Sequence, residues 1–223
     1  MALKLRYDVF GSEILGSARF AGKYEFPVTP GIRLDALPGR IVPFDRAASS
    51  LRSGDWLHGY VHDVRFYRFL SSAEKSYLKI DAAAGYIGAD NSMYRDLPIA
   101  EQIHSCYLNR AIDYYLHSKG KPVVQNVSWG GWRSYDFCCD GVPESSTIAV
   151  SSYGCCRSEV EKSRFEDGFL FVVGRLRPYS VMIHGSVWPR LEEIAGCRGV
   201  SIIRIPTWRN IRLAVHGESQ RAV

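Results

Sequence analysis

The residues of this chain that could do chemistry cluster where its apolar segments end. Asp90 follows one such segment, Asn126 lies near the end of a second, and His184 ends a third. If these segments are parallel strands, their carboxyl ends meet at one edge of the sheet, where α/β proteins bind their ligands. We therefore predict one site there, with Asp90 and Asn126 as its catalytic pair. The predicted substrate-binding residues are Asp63, Asn91, Ser92, Tyr94, Trp129, Ser151, Tyr153 and His184.

A single carboxylate suits the hydrolysis of an N-glycosidic bond. It can stabilise an oxocarbenium-like sugar or align water against it. Because this carboxylate must be ionised, we expect the neighbouring donors Asn91 and Ser92 to hold the charge of Asp90. An extruded base also needs an amide to contact its edge and aromatic rings to stack on. Residues of these types are Asn91, Asn126, Trp129 and Tyr153. The leading hypothesis is a DNA glycosylase-type hydrolase, which needs no cofactor, and we expect none.

Two other functions fit the same residues. The first is a non-catalytic nucleotide- or nucleic-acid-binding accessory protein, in which Asp90 would accept hydrogen bonds from a base. The second is a base-exchanging transglycosylase, in which the carboxylate would attack the sugar covalently. Loss of activity with retained DNA binding after an Asp90 substitution would separate the enzyme from the binder. A covalent adduct between enzyme and sugar would separate exchange from hydrolysis.

Several signatures of other chemistries are missing from the sequence. It has no G-x-x-x-x-G-K-[ST] motif, no G-x-G-x-x-G after a strand, no H-E-x-x-H and no G-x-S-x-G. Their absence disfavours P-loop nucleotide hydrolysis, dinucleotide chemistry, zincin proteolysis and α/β-hydrolase chemistry. The six cysteines include two vicinal pairs, Cys138-Cys139 and Cys155-Cys156, but no C-x-x-C. We expect reduced thiols without disulfides and no metal site.

Strands and helices alternate from residue 58 onward. Apolar runs predict strands over 58–66, which would contain Asp63, and over 83–89, 122–129, 147–153, 179–184 and 200–205. Helical periodicity predicts helices over 98–118, 159–176 and 188–195. The inward face of the first helix would carry Ile99, Ile103, Cys106, Tyr107, Arg110 and Tyr114. An inward Arg110 would be buried and paired with a carboxylate or with backbone carbonyls.

This alternation predicts an α/β fold with a mostly parallel sheet built from βα units. A reduced, barrel-like sheet and an open doubly wound sheet both fit about six strands. The first 55 residues are rich in glycine and proline and predict an irregular N-terminal cover with short strands. We therefore expect one domain over residues 1–223, with the cover in 1–55 and the βα core in 56–223.

Composition and charge set wider limits. The chain has 223 residues, of which 46% are hydrophobic and 23% charged, which excludes a disordered protein. No apolar run is long enough to cross a membrane, and the N-terminus lacks the pattern of a signal peptide, so we expect no membrane association and a cytoplasmic location. The net charge is +5, and 21 of the 28 basic residues are arginine. Because arginine suits phosphates and base edges, DNA is the expected partner.

The sequence resembles the domain of unknown function 4417 over roughly residues 40 to 185. The segment Ala89-Asp90-Asn91-Ser92-Met93-Tyr94 is similar to the P-D-F-S-x-Y pattern of that family, from which Ala89 and Asn91 depart. Further similar segments are residues 42–45, 62–66, 109–110, 123–129, 134–137, 140–143 and 151–154. The family occurs in phages, mobile elements and bacteria. The resemblance implies a phage-linked context and a role for Asp90. For the glycosylase hypothesis, such a context predicts phage defence by excision of modified phage bases.

Overall fold

The computed structural model describes residues 12–207, and its centre is one sheet of seven parallel strands. The first two strands, β1 (Phe20–Ala21) and β2 (Phe26–Pro27), form a separate antiparallel pair. The seven strands of the main sheet are β3 (Ile41–Pro43), β4 (Trp56–Gly59), β5 (Gly85–Ala89), β6 (Val123–Asn126), β7 (Thr147–Ser151), β8 (Ser180–His184) and β9 (Ser201–Ile205).

Helices connect these strands. The α-helices are α1 (Ala47–Ser50), α2 (Val64–Leu70), α3 (Ala73–Leu78), α4 (Ile99–Ser118), α5 (Glu159–Leu176) and α6 (Pro189–Gly196). Short 3₁₀ segments lie at Ser12–Leu15, Phe44–Arg46 and Trp132–Ser134. The helices predicted over 98–118, 159–176 and 188–195 therefore correspond to α4, α5 and α6. No helix among residues 12–207 is long and apolar enough to span a membrane.

The main sheet is curled into a half-barrel flanked by helices. Its strand order follows the chain from β3 to β9 without reversal. A doubly wound sheet requires a reversal of strand order, so the barrel-like form of the predicted α/β fold is the one observed. The curl brings His58 of β4 and His184 of β8 together across the concave face, with their ring centroids 5.2 Å apart.

Alternation along the strands gives the half-barrel two apolar layers. On the outer face, Val150, Val181 and Ile183 pack with Phe169 and Val172 of α5. On the inner face, consecutive strands contribute Ile87, Val124, Ala149, Met182 and Ile203 to one cluster. The buried face of α5 is the predicted one, namely Phe165, Phe169, Val172, Val173 and Leu176.

The N-terminal region does more than cover the core. Its segment Ile41–Pro43 pairs in parallel with β4 as the edge strand β3. Short strands were predicted in this region, but not the membership of one of them in the main sheet. Ile32, Leu34 and Leu37 pack against the inner-face cluster. The backbone of Leu34 forms hydrogen bonds with the first residues of β7 and β8. At β7, its N–H donates to Thr147 Oγ1 at 2.8 Å. This segment therefore fills the amino-terminal end of the half-barrel and leaves the carboxyl end for a site.

The predicted strand over 58–66 is wrong in its second half. Strand β4 ends at Gly59, and helix α2 begins at Val64, so Asp63 lies in a turn rather than within a strand. The reason is packing, because Phe66 and Phe69 are spaced by one helical turn and both enter the helix-side core. The single-domain prediction over 1–223 also includes 1–11 and 208–223, which lie outside the described residues.

Helix α4 buries a different face from the predicted one. Cys106 and Arg110 are buried as expected, but Ile99, Ile103, Tyr107 and Tyr114 are only partly buried. The helix buries other apolar residues, which are Ala111, Ile112, Tyr115 and Leu116, in the helix-side core. Beside them it buries a polar set that faces the carboxyl ends of the neighbouring strands, which is Gln102, Asn109, Arg110 and Asp113. Since polar side chains enter the interior when they find partners there, apolar periodicity could not predict this face.

Candidate functional site

The carboxyl end of the half-barrel presents polar side chains on its inner face. Asn126 of β6, Ser151 of β7 and His184 of β8 all occupy inner-face positions in the last layer of their strands, and Ser151 is the direct register partner of His184. Asp90 comes one residue after β5. The structure thus brings four of the predicted site residues to one rim, as the alternation of side chains along parallel strands requires.

Asp90 and Asn126 form the centre of this rim. Asn126 Nδ2 donates to Asp90 Oδ1 at 2.8 Å and lies 3.3 Å from the carbonyl oxygen of Ala89. Asn126 is fully buried, whereas Asp90 is half-buried. Asn91 and Ser92 were expected to hold the charge of Asp90, and this is wrong, because the donor is the amide of Asn126.

Tyr60 fixes the orientation of that amide. Its hydroxyl donates to Asn126 Oδ1 at 3.1 Å, so the amide nitrogen of Asn126 must face Asp90. Burial and the negative charges of Asp90 and Asp113 raise the pKa of Tyr60 well above its usual value, so the hydroxyl stays protonated and remains a donor. The ring of Tyr60 also stacks on His184, with centroids 4.4 Å apart and planes 9° from parallel.

Two neutral imidazoles extend this aromatic surface. Burial lowers the pKa of His184 to about 4, and burial together with His184 lowers the pKa of His58 to about 3. Both rings are therefore uncharged at pH 7. Ser151 Oγ lies 3.2 Å from His184 Nδ1, and the ring of Tyr153 lies 5.7 Å from that of His184. A cluster of uncharged aromatic rings, stacked and tilted against one another, thus lies beside the carboxylate of Asp90.

The environment of Asp90 favours proton exchange near neutral pH. Burial raises the pKa of Asp90 to about 6, and the negative charge of Asp63 contributes to this rise. Hydrogen bonding from Asn126 and the proximity of the Ser128 hydroxyl oppose it. A carboxylate with a pKa near 6 is largely ionised at pH 7 and can still accept and release a proton, which is the property of a general base.

Helix α4 holds the backbone that carries Asp90 and Asn126. The guanidinium of Arg110 donates to three backbone carbonyls, those of Asn126 and Cys138 at 2.8 Å and of Asp140 at 3.0 Å. This confirms the prediction that Arg110 is buried and paired. On the next turn, Asp113 Oδ1 accepts the N–H of Ala89 at 3.2 Å. One helix therefore fixes the carboxyl ends of both strands.

The approach of Asp113 depends on glycine. A Cβ atom on Gly88 would lie 2.5 Å from Asp113 Oδ1, so no larger residue could occupy this position without moving the carboxylate. Asn109 completes the set of polar contacts from α4, since its Oδ1 accepts both the N–H and the side-chain amide of Asn91 at 2.7 Å. Asn91 is thus held by the helix and does not face the rim.

Replacing Asp113 by Asn should change the pH dependence of stability. Burial raises the pKa of Asp113 to about 7 even though Arg110 opposes the rise. A carboxyl whose pKa is raised on folding destabilises the native state when ionised, so this penalty is full above pH 7 and disappears as the pH falls towards 4. At pH 8, we expect the free energy of unfolding of Asp113→Asn to exceed that of the wild type by about 1–3 kcal/mol.

Urea unfolding at pH 8 and at pH 5 measures this difference. The gain should shrink at pH 5, where Asp113 is protonated in the native protein. An exposed carboxylate such as Asp96, replaced by Asn, is the control and should show no such difference between the two pH values. A stability gain for Asp113→Asn that is equal at both pH values would contradict the assignment.

Five of the predicted binding residues lie away from the Asp90 rim or serve another contact. Trp129 packs against Phe165 of α5, with ring centroids 5.1 Å apart, and belongs to the helix-side core. Asp63 accepts the N–H and hydroxyl of Ser92 at 3.2 and 3.0 Å, so these two residues tie the turn before α2 to the loop after β5. Asn91 binds Asn109, and Tyr94 is exposed.

Three residues of the rim and its support are absent from the predicted site: Tyr60, His58 and Asp113. The strand predicted over 58–66 contains His58 and Tyr60, and a strand that ends at Gly59 places both at the rim. Asp113 lies one helical turn from Arg110, and a charged pair at this spacing on a largely apolar helix was the signal for it.

Other features of the described residues differ from this rim in their chemistry. A shallow cleft between the N-terminal hairpin and the end of α4 is lined by Arg19, Tyr114 and His117 and contains no carboxylate. No three His, Cys, Asp or Glu side chains among residues 12–207 are grouped as metal ligands. All six cysteines are free thiols, and the Sγ atoms of Cys138 and Cys139 are 3.9 Å apart.

Comparison with known proteins places this arrangement in a family. The chain is 31% identical over 170 residues to the Gene 1 protein of Mycobacterium phage D29, a match that covers 73% of this chain and 60% of that protein. It is 29% identical over 136 residues to the Gene 1 protein of Mycobacterium phage L5, covering 61% of this chain and 59% of that protein. The matches thus span about 60% of the length of these curated relatives.

No solved structure matches the chain. The family model that matches is described as a domain of unknown function (DUF4417), and it covers residues 19–198. That range includes the Asp90–Asn126 pair, Tyr60, His184 and all of α4. The chain therefore belongs to the family of the domain of unknown function DUF4417.

Proposed function

We propose that this protein hydrolyses an N-glycosidic bond in DNA and that Asp90 is its catalytic carboxylate. The observation that carries the proposal is the state of Asp90, a half-buried carboxyl with a pKa of about 6, oriented by Asn126 beside uncharged aromatic rings. Such a carboxylate can both stabilise positive charge on a sugar and take a proton from water.

The proposed step breaks the bond between C1′ of the sugar and a ring nitrogen of the base. The bonding electrons leave with the base, and the positive charge that develops on the sugar lies near the carboxylate of Asp90. The oxygen of a water molecule then bonds to C1′. Asp90 accepts one proton of this water and returns it to solvent, while the departing base nitrogen takes up a proton. The products are the free base and an abasic sugar.

The aromatic surface beside Asp90 provides the means of holding a base. Tyr153 is exposed and lies next to His184, which itself stacks on Tyr60. A base rotated out of its strand could stack on this surface while its glycosidic bond faces Asp90. Both imidazoles are buried and uncharged, so they lie behind this surface without placing a charge next to the base.

The phage relatives direct the choice of substrate. The Gene 1 proteins that resemble this chain come from phages, and phage DNA with modified bases is the first substrate to test. An arginine-rich chain of net charge +5 is suited to holding DNA phosphates. Activity of this kind would act in conflicts between phages or between phage and host.

Incubation of the purified full chain with modified and unmodified DNA tests the proposal. Hydrolysis should leave abasic sites that break on treatment with alkali. Binding without alkali-labile sites would favour the accessory binder. A covalent adduct trapped between protein and sugar, with incorporation of an added free base, would favour the base-exchanging transglycosylase.

The proposal also fixes the pH dependence of the reaction. Because the ionised form of Asp90 acts and burial raises its pKa to about 6, kcat/KM should fall as the pH drops through about 6. Loss of the hydrogen bond from Asn126 in Asn126→Ala should raise the pKa of Asp90 further and shift the acidic limb to higher pH. A pH profile that is flat between pH 5 and 8 would exclude Asp90 as the titrating group.

A further inference from the structure

The most exposed aromatic side chains of the described chain share one location. Trp132 is 77% exposed, Tyr153 67% and Tyr94 59%, whereas the other exposed aromatics, Tyr179 and Phe20, are 39% and 37% exposed. Trp132 follows β6, Tyr153 follows β7 and Tyr94 follows β5. Each of three adjacent strands therefore ends in a loop that holds one aromatic ring in solvent, at the same end of the half-barrel as Asp90.

Contacts hold the loops of these rings against neighbouring parts of the same end of the half-barrel. The side chain of Arg95, next to Tyr94, reaches the loop after β6, with its Cγ 3.2 Å from where a Cβ on Gly131 would lie. Ser152, next to Tyr153, donates to the carbonyl of Ser186 at 2.7 Å in the loop after β8. Tyr153 also contacts His184 of the site. We call the surface formed by Tyr94, Arg95, Trp132, Arg133, Tyr153 and Arg157 the aromatic rim.

Each loop of the aromatic rim also carries an exposed arginine. These are Arg95, Arg133 and Arg157. Within residues 12–207 their guanidinium groups form no ion pair, whereas arginines elsewhere do, for example Arg175 and Arg177 with Glu144. A guanidinium without a protein partner is free to contact an anion, and phosphate is the anion that its planar donors match.

We propose that the aromatic rim binds an unpaired strand of DNA, with bases stacked on Trp132, Tyr94 and Tyr153 and with phosphates at the three arginines. Separate aromatic rings next to cationic side chains are the arrangement by which proteins hold single strands without reading their sequence. The inference deepens the proposed function and rests on it for the choice of DNA, because the rim leads to Asp90 and would deliver an already unpaired base to it.

The composition of the rim favours a nucleic acid over a protein partner. The exposed rings are separated along the chain by polar and charged residues, whereas a protein-binding patch has a contiguous apolar centre. Asp96 and Asp136 lie in the same loops, so the net charge of the rim is small. Stacking should therefore supply much of the affinity, and the salt dependence should be modest.

Fluorescence anisotropy of a labelled 15-nucleotide single strand, titrated with the full chain, tests the inference. The single strand should bind at least about tenfold more tightly than a duplex of the same sequence. Trp132→Ala should weaken binding by about fivefold to 100-fold, the effect of losing one stacked base. Tyr179→Ala, which removes an exposed ring at the opposite end of the strands, is the control and should leave the affinity unchanged.

The salt dependence tests the arginines separately. Three phosphate contacts on a single strand predict a slope of about −2 for the logarithm of the association constant against the logarithm of the salt concentration. Replacing Arg133 by Ala should reduce that slope by about 0.7. Circular dichroism and thermal unfolding of each variant establish that it is folded, so a loss of binding reports on the surface itself.

Several outcomes would overturn the inference. One is equal affinity for duplex and single strand, and another is unchanged single-strand binding by Trp132→Ala. Self-association of the chain that Trp132→Ala abolishes would identify the rim as a contact between copies instead. If the chain binds single strands in a way that depends on Trp132 but forms no abasic sites, the catalytic proposal alone is refuted. Base release that does not depend on Trp132 and Tyr94 would refute the rim alone.

Discussion

Replacing Asp90 by Asn is expected to slow base release by about 10²–10⁴-fold. The amide keeps the shape of the side chain and can still accept the hydrogen bond from Asn126 through its oxygen. It carries no charge to stabilise the sugar and cannot accept a proton from water. The loss should therefore fall on kcat, with KM little changed, because the interaction is made in the transition state.

The fold should tolerate this substitution. Burial raises the pKa of Asp90, so the ionised carboxylate destabilises the native state. A neutral amide at this position has no such penalty. The thermal unfolding midpoint of Asp90→Asn should equal or exceed that of the wild type at pH 8. Asp35→Asn, an exposed carboxylate beside Tyr179 at the opposite end of the strands, is the control and should retain the full rate. Full base release by Asp90→Asn would show that the mechanism is wrong.

Replacing Arg110 by Met is expected to cost about 3–5 kcal/mol of unfolding free energy. The substitution preserves a long side chain but leaves three buried carbonyls, those of Asn126, Cys138 and Asp140, without their donors. It also removes the positive charge that opposes the raised pKa of Asp113. Urea unfolding at pH 7 measures the loss.

An exposed arginine provides the comparison for Arg110. Arg190 pairs with Glu193 on the surface of α6 at 2.8 Å and is half exposed. Exposed pairs of this kind contribute little, so Arg190→Met should change stability by less than about 1 kcal/mol. If Arg110→Met unfolded like the wild type and yet lost DNA binding, Arg110 would belong to the site rather than to its support.

The sequence predicted the parts of the site that depend on strand alternation. Asn126, Ser151 and His184 lie at inner-face positions of strands whose apolar runs were recognisable, so their common rim followed from the parallel α/β arrangement. Helices α4 and α5 were predicted to within a residue because their apolar residues recur at helical spacing.

Side-chain directions beyond the strand ends could not be predicted. Alternation stops where the loop begins, so nothing local showed that Asn91 binds Asn109 or that Trp129 turns towards Phe165. Tyr60 was missed because its strand was extended to residue 66, and the helix that begins at Val64 depends on packing of Phe66 and Phe69. The polar side chains of α4 are buried because they bind partners from distant segments. The spacing of apolar residues along the helix therefore could not reveal them.

Quantification of free base by mass spectrometry, alongside abasic sites in the same reaction, tests the central claim most directly. The full chain should release one free base for each abasic site formed in single-stranded DNA, with a rate that falls below about pH 6. Single-stranded DNA that binds the protein and yields neither free base nor abasic sites, across modified and unmodified bases, would contradict it.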